Sequence, residues 1–156
     1  MRRCHKPEQG AAAVEFALIL PVFSLMLFGT IQYSMYFWSA QSAADAAREG
    51  ARRGAVGQTC SDLTSMTTGL VKLETATPTV TRRYYAATDT TFSTPITLSS
   101  TNAVDANVRI RITYNSSDLN IPFIPFPAQG AVTETAVSRV ESFKPATPNP
   151  KWVACP

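Results

Sequence analysis

The chain has 156 residues and a formal net charge of +3, so it has room for a membrane anchor and one small domain. Much of the charge belongs to the first ten residues, where Arg2, Arg3 and Lys6 stand against Glu8. The remainder is nearly balanced, which excludes a broad basic surface for nucleic acid. Titratable groups are too few for a catalytic set, and His5 has too few neighbouring ligands for a metal. We therefore predict no enzymatic activity, no cofactor and no metal site.

A long apolar segment follows, and no residue from Phe16 to Ala44 is charged. A helix that spans a membrane needs roughly 20 mostly apolar residues, and the segment from Phe16 to Trp38 meets that length. A buried helix of a soluble protein rarely stays uncharged for so long, and the apolar core of a signal peptide is shorter. The pattern predicts a transmembrane helix over about 16–38, with aromatic residues at the interface where it ends.

The same helix is predicted to continue into solvent. Residues 39–56 are rich in alanine, and their charged side chains lie three or four positions apart, which suits intrahelical ion pairs. Gly50 and Gly54 weaken the helix, and Gly57 is a reasonable stop signal. A short second helix is predicted to begin near Ser61, because four apolar residues follow at helical spacing. These are Leu63, Met66, Leu70 and Leu73.

Strands are predicted in the second half of the chain, where threonine, serine, proline and β-branched residues dominate. The clearest strand covers 108–114, where apolar and polar residues alternate. Residues 131–143 are its predicted antiparallel partner, and residues 79–85 are a third strand. Prolines exclude a central strand between Ile121 and Pro127, so we predict an apolar loop there. The tail from Lys144 onward is rich in proline and predicts an extended strap.

Cysteines and aromatic residues of the second half leave alternatives open. Cys60 and Cys155 bracket the small domain, and they could form a disulfide in an oxidising compartment or remain two buried thiols. Four aromatic residues could form a binding surface, although packing is the more common role for aromatic side chains in a small β-rich domain. They are Tyr84, Tyr85, Phe123 and Phe126.

One acid lies at the entrance to the apolar segment. Glu15 follows Gly10 by five residues, and a short basic leader precedes that glycine. Ionisable groups next to hydrocarbon are costly and usually functional. The helix dipole favours an acid in any first helical turn, but it does not explain the glycine or the basic leader. We therefore interpret Glu15 as a functional residue.

A basic leader ending in Gly10, a glutamate five positions later and an aromatic at Phe16 resemble the class III signal of type IV pilin-like proteins. Segments 10–21 and 46–52 are more closely similar to the TadE-like pseudopilins of tight-adherence pilus systems. Three later segments also resemble that family: a strand ending in tyrosine, a proline-aromatic loop and an arginine-x-glutamate ending, at 108–114, 122–127 and 139–141. The glutamine at position 32 departs from the pattern, since such helices often carry an acid there.

This resemblance implies an assembly protein that a membrane-embedded prepilin peptidase cleaves between Gly10 and Ala11. Cleavage would create a free amine on Ala11, which Glu15 of another subunit could pair with in lipid. Glu15 and Phe16 are the implied assembly residues. The implied partners are the prepilin peptidase, other pilins or pseudopilins, the inner-membrane platform of a Flp-type adhesive pilus, and membrane lipid, but no nucleic acid.

The fold class expected from residues and resemblance together is α+β. A long N-terminal transmembrane helix extends into the periplasm and is followed by a small antiparallel β-sheet domain with a short helix. The expected organisation is a cytoplasmic leader (1–10), the N-terminal helix (11–57), a periplasmic α+β domain (58–143) and a proline-rich tail (144–156).

The expected location is the bacterial inner membrane, in a single pass with the N-terminus in the cytoplasm, and incorporation into a surface pilus is left open. Three positive charges flank each end of the apolar segment, so the charge bias alone does not set this orientation. The alternative function is an uncleaved, membrane-anchored periplasmic binding module or enzyme, which the mature N-terminus would distinguish.

Overall fold

The computed structural model describes residues 8–71, 77–100, 102–103, 105–141 and 154–155. Within these ranges the chain forms two α-helices and four strands: α1 (Glu8–Ala55), α2 (Cys60–Leu70), β1 (Thr79–Tyr85), β2 (Pro95–Ile96), β3 (Asn107–Asn115) and β4 (Ala131–Arg139). The strands form one antiparallel sheet in the order β2-β1-β3-β4. This confirms the predicted α+β class, with a long apolar N-terminal helix, a small antiparallel sheet and a short helix.

Helix α1 has two halves with different surroundings. From residue 10 to residue 31 its side chains are exposed, apart from the half-buried Ser24 and Gly29. Pro21 lies inside this half without ending the helix. The second half packs on the sheet through small side chains that recur at spacings of three and four. The buried alanines are Ala43, Ala46, Ala47, Ala51 and Ala55.

Two glycines let α1 approach β3 closely. A Cβ atom added to Gly50 would lie 3.2 Å from Cγ2 of Ile110, and one added to Gly54 would lie 3.2 Å from Cγ2 of Val108. Such distances are shorter than ordinary van der Waals contact between carbons. Gly50 and Gly54 weaken the helix because glycine has a low helix propensity, but they lie where the helix meets the sheet.

Gly57 ends α1, as predicted. Its φ of 81° lies in the left-handed region that glycine adopts readily. The N–H of Gly57 donates to the carbonyl of Gly54 at 3.3 Å, and the N–H of Gln58 donates to the carbonyl of Arg53 at 3.2 Å. This pair of bonds is a Schellman motif, which satisfies carbonyls at the helix end.

Strand β3 is the centre of the sheet, and its alternation is as the sequence predicts. Its inward side chains are buried against α1: Val108, Ile110, Ile112 and Tyr114. Strand β1 has the predicted bounds, and β4 pairs antiparallel with β3 as predicted but ends at Arg139. The predicted end at Phe143 lies outside the described residues. Strand β2 was not predicted, because two residues are too short to carry a period.

Helix α2 begins one residue before the predicted start. Thr59 caps it by accepting a hydrogen bond from the N–H of Asp62 at 3.2 Å. Leu63 is fully buried, whereas Leu70 is exposed. Leu73, the last member of the predicted stripe, lies outside the described residues, as does most of the predicted strap after Lys144.

Candidate functional site

The predicted processing and assembly residues lie together on the free end of α1. Gly10, Ala11, Glu15 and Phe16 are all exposed, and a Cβ atom on Gly10 would meet no other atom within 4 Å. Glu15 stands four residues after Ala11, which places both on one face of the helix. The first seven residues of the leader lie outside the described part of the chain. The motif is thus presented outward, with space around it for another protein.

The apolar surface next to this motif has no cover from the described part of the domain. Between Val14 and Ile31 the large apolar side chains are 41 to 72% exposed. One helix among the described residues is long and apolar enough to cross a membrane, with a mean hydropathy of 2.2 in its most apolar window and none of that window buried. A core helix of a soluble protein would be covered. This surface supports a single-pass membrane anchor.

Hydroxyl groups along this helix form hydrogen bonds within it. Thr30 donates through Oγ1 to the carbonyl of Met26 at 2.8 Å, and Ser34 donates through Oγ to the carbonyl of Thr30 at 2.7 Å. Serine and threonine commonly bond the preceding turn of a helix in this way. The hydroxyl groups of both side chains are therefore satisfied within the helix.

A segment that we name the proline loop, residues 118–127, folds back onto α1. Gln32 is only 1% exposed beneath it. Its Oε1 accepts a hydrogen bond from the N–H of Leu119 at 3.0 Å, and its Nε2 donates to Oδ1 of Asp118 at 3.4 Å. The hydroxyl of Tyr33 donates to the carbonyl of Pro125 at 3.0 Å. The loop is therefore fixed to the helix by polar contacts at two adjacent residues of α1, Gln32 and Tyr33.

Apolar contacts join the same two segments. A Cβ atom at Gly29 would lie 3.6 Å from Cδ1 of Ile124, and the rings of Tyr36 and Phe126 meet edge to face with centroids 5.7 Å apart. Sequence reasoning noted Gln32 only as a departure from a family pattern and missed its role. A glutamine within a long uncharged segment is the signal that could have found it, because a buried amide needs partners.

The four aromatic residues of the domain have different environments. Tyr84 and Tyr85 are buried and Phe126 is half-buried, as the packing interpretation predicts. For Phe123 that interpretation is wrong, since its side chain is 94% exposed. Its φ of 68° lies in the left-handed region, and a proline precedes it. This backbone directs the ring away from the domain.

A disulfide joins Cys60 at the start of α2 to Cys155, with an Sγ–Sγ distance of 2.16 Å and a Cα–Cα distance of 5.7 Å. Of the two arrangements that the sequence leaves open, the structure contains this one. The N–H of Cys155 also donates to the carbonyl of Arg82 at 3.1 Å. The C-terminal end of the chain is therefore held at the edge of β1.

Arg82, which sequence reasoning did not single out, is fully buried beside the disulfide. Its Nη1 donates to the carbonyl of Gln58 at 2.5 Å, and its Nη2 lies 3.5 Å from Sγ of Cys60. Burial lowers the pKa of the Arg82 guanidinium, and burial raises the pKa of Tyr84 to about 12 against the opposing effect of the Arg82 charge. The alternation of Val80, Arg82 and Tyr84 along one face of β1 is the signal that could have found this residue.

The opposite face of the sheet carries an open cavity of about 370 Å³, which arginines and aromatic rings line. Arg83 and Arg109 are directly opposed across β1 and β3. Repulsion between their like charges disfavours this arrangement. The Arg109 guanidinium lies 5.7 Å from the ring centroid of Phe92. Asp89 shapes the adjoining turn, and the bond from the N–H of Thr94 is the main reason why its pKa is lowered. The cavity has the chemistry to accept a small anion.

Metal ligands do not converge in the described ranges, where no three histidine, cysteine or acidic residues come close together.

A comparison with known protein families finds a similarity in the N-terminal part of the chain. The family model described as TadE-like protein matches residues 10–52. The match begins at Gly10 and covers the exposed half of α1 and most of the half that packs on the sheet, whereas α2 and the strands lie outside it. No curated protein and no solved structure gives a significant match. Over residues 10–52 the chain is similar to the TadE-like family, and this similarity supports a pilus-associated, minor pilin-like role.

Proposed function

We propose that the chain is a pseudopilin that a prepilin peptidase processes and that assembly of a Flp-type adhesive pilus requires. The observation that carries the proposal is the exposed apolar half of α1, residues 10–31, which the described part of the domain leaves uncovered. The TadE-like match that begins at Gly10 supports the same function. A surface of this kind is stable only in lipid or against other apolar helices.

The proposed cleavage lies between Gly10 and Ala11. This bond is in the first turn of α1, where N–H groups lack helical acceptors. Glycine further lowers helix stability by about 1 kcal/mol relative to alanine. Local unwinding of this turn is therefore inexpensive in free energy, and a peptidase acting from the cytoplasmic side could reach the bond without disturbing the domain.

Glu15 is the proposed assembly residue. After cleavage, the new amine of Ala11 and the carboxylate of Glu15 would lie near each other on the exposed helix face, and each would be available to a neighbouring subunit. A carboxylate beside hydrocarbon is costly alone and tolerable when paired. The partners would be other pilins or pseudopilins on the inner-membrane platform, and Phe16 would pack in the same helix contact.

The proposed orientation places the N-terminus in the cytoplasm and the sheet domain in the periplasm. The Cys60–Cys155 disulfide supports this orientation, since disulfides persist in oxidising compartments. The apolar surface that contacts lipid before assembly could contact neighbouring helices in a fibre afterwards. Incorporation into the surface pilus is thus part of the same proposal.

The mature N-terminus tests this function. Intact mass and N-terminal sequencing of the chain, produced in cells that contain its prepilin peptidase, should give a mature protein beginning at Ala11. Gly10→Leu should leave the precursor uncleaved. Gly69→Leu is the matched control, because a Cβ atom at Gly69 also meets nothing within 4 Å, and it should be processed normally. An intact Met1 in the unmodified chain would instead support an uncleaved anchor.

The arginine-lined cavity favours a second candidate function, that of a membrane-anchored binding module. Arginine side chains bind phosphate and carboxylate groups through paired hydrogen bonds. If this is the function, inorganic phosphate should bind in a calorimetric titration, and Arg109→Gln should weaken binding while Arg48→Gln on α1 leaves it unchanged. The absence of heat from binding in the unmodified chain would remove this candidate.

A further inference from the structure

We propose that the proline loop is a second membrane contact, which lies in the lipid interface beside α1 and inserts Phe123 among the lipids. The inference rests on the membrane insertion of α1 in the proposed function and adds to it a surface of the domain. It also moves the expected end of the transmembrane span from about residue 38 to near Gly29. The observations that carry it are the level at which the loop meets the helix and the exposure of its apolar side chains.

The level of the loop along α1 coincides with the end of a membrane span that begins at Ala11. The loop contacts the helix from Gly29 to Tyr36. The free helix before it, from Ala11 to Phe28, is about 27 Å long at roughly 1.5 Å per residue and thus close to the hydrocarbon thickness of about 30 Å. A span that began at Ala11 would therefore end where the loop begins.

A span over 16–38 would instead carry the loop into hydrocarbon. Asp118 and the N–H of Leu119 are bonded to Gln32, so they must lie at the same depth as that residue. Irregular backbone exposed to lipid does not occur in the hydrocarbon region. The hydrocarbon must consequently end near Gly29, and the loop lies in the interface on the side of the domain.

The composition of the loop suits this position. Between Ile121 and Pro127 no residue is charged, and the three prolines lack N–H groups that would need partners in a poorly hydrated layer. Phe123 is 94% exposed and Leu119 is 46% exposed. Tyr33, Tyr36 and Trp38 lie on the neighbouring part of the helix, and tyrosine and tryptophan are enriched at this level of membrane proteins.

Backbone conformation keeps Phe123 directed outward. Asn120 and Phe123 both have left-handed φ values, 49° and 68°, which asparagine adopts more readily than other residues but which are unfavourable for a bulky residue such as phenylalanine. Such conformations persist where the surrounding structure fixes them, and they cluster at functional sites. Here the bonds from Gln32 and Tyr33 fix the loop on both sides of Phe123. A preformed loop would lose little conformational freedom on meeting lipid.

Depth-dependent fluorescence quenching tests the contact in the full chain. In a background with Trp38→Phe and Trp152→Phe, Phe123→Trp introduces a single reporter in the loop. Phe23→Trp reports on the interior of the free helix, and Val137→Trp is a control on an exposed apolar position of β4. Each variant is placed in vesicles of phosphatidylethanolamine and phosphatidylglycerol with lipids brominated at different acyl depths. Circular dichroism and non-reducing mass confirm the fold and the disulfide.

Lipids brominated near the headgroup should quench Phe123→Trp most strongly, lipids brominated near the chain end should quench Phe23→Trp, and neither should quench Val137→Trp. An unquenched Phe123→Trp beside a quenched Phe23→Trp would overturn the loop contact and leave the anchor intact. If Phe23→Trp were also unquenched, the anchor itself would fail. Blue-shifted emission that depends on the protein-to-lipid ratio, without quenching, would assign the surface to a second copy of the chain and overturn the lipid contact.

Discussion

Gln32 and Arg82 are buried polar side chains, and each connects segments that are far apart in sequence. Gln32 joins α1 to the proline loop, and Arg82 joins β1 to the turn before α2. Removing one partner of a buried hydrogen bond leaves the other without compensation, which costs more than the bond itself contributes. Individual residues therefore hold the loop and the disulfide region in place.

Gln32→Leu should detach the proline loop from α1. The N–H of Leu119 would lose its acceptor, and we expect a destabilisation of about 1–3 kcal/mol. Denaturant unfolding of the protein in detergent measures this change. Gln41→Leu is the control, because Gln41 is an exposed glutamine on the same helix whose Nε2 donates to Oδ1 of Asp45 at 3.3 Å. Equal stability of the two variants would contradict the role of Gln32.

Glu15→Ala should be cleaved normally and yet fail to support pili. Glu15 lies beyond the scissile bond and has no described contact with the domain, so its removal should affect subunit pairing and not folding. Pilus output by electron microscopy, together with the mature mass, measures both properties. Glu134→Ala, a change on β4, is the control that should retain pili. Full pilus formation by Glu15→Ala would refute the proposed pairing.

Among the elements, those with a clear period could be predicted from sequence, and those that depend on distant contacts could not. The alternation of β3 and the Gly57 stop are local signals, and both are confirmed. Strand β2 is too short to show a pattern. The proline loop was predicted as a loop, but its docking on α1 depends on residues about 90 positions away, and no local rule predicts the exposed Phe123.

Contact between α1 and the sheet depends on glycine. Gly54→Leu should destabilise the domain by roughly 1–3 kcal/mol, because a larger side chain would overpack against Val108 and Ile110. Gly69→Leu, at an open position of α2, should be neutral or stabilising, since leucine favours helix more than glycine does. Thermal unfolding followed by circular dichroism compares the two. If both changed stability in the same direction and by the same amount, close packing would not be the cause.

For the whole molecule, the disulfide closes most of the domain into one loop, since its cysteines are 95 positions apart. Such a bridge restricts the unfolded chain more than the folded one. The disulfide also holds the C-terminal end beside β1, where the backbones of Arg82 and Cys155 form an isolated antiparallel β-bridge. Sequence could name the two cysteines but not choose between a bridge and two thiols, because their proximity depends on the complete fold.

Cys155→Ser should lower the free energy of unfolding by about 4.7 kcal/mol on the chain-entropy estimate for a loop of this length. Denaturant unfolding with and without reductant measures the effect, and reductant should alter the unmodified protein but not the variant. Cys4→Ser is the control, because Cys4 is outside the bridge, and it should leave stability unchanged. A variant as stable as the unmodified protein would show that the bridge contributes nothing.

The continuity of α1 has a mechanical consequence. One helix runs from Glu8 to Ala55. Its second half packs closely on the sheet through glycine and alanine residues, and this close packing should resist sliding of the helix along the sheet. A pull on the N-terminal end, such as extraction from a bilayer would apply, is directed along the helix axis and loads this contact in shear. The described residues contain no hinge between helix and domain that could absorb the displacement. The domain and the helix should therefore move as one rigid body, and the proline loop would leave the lipid together with them.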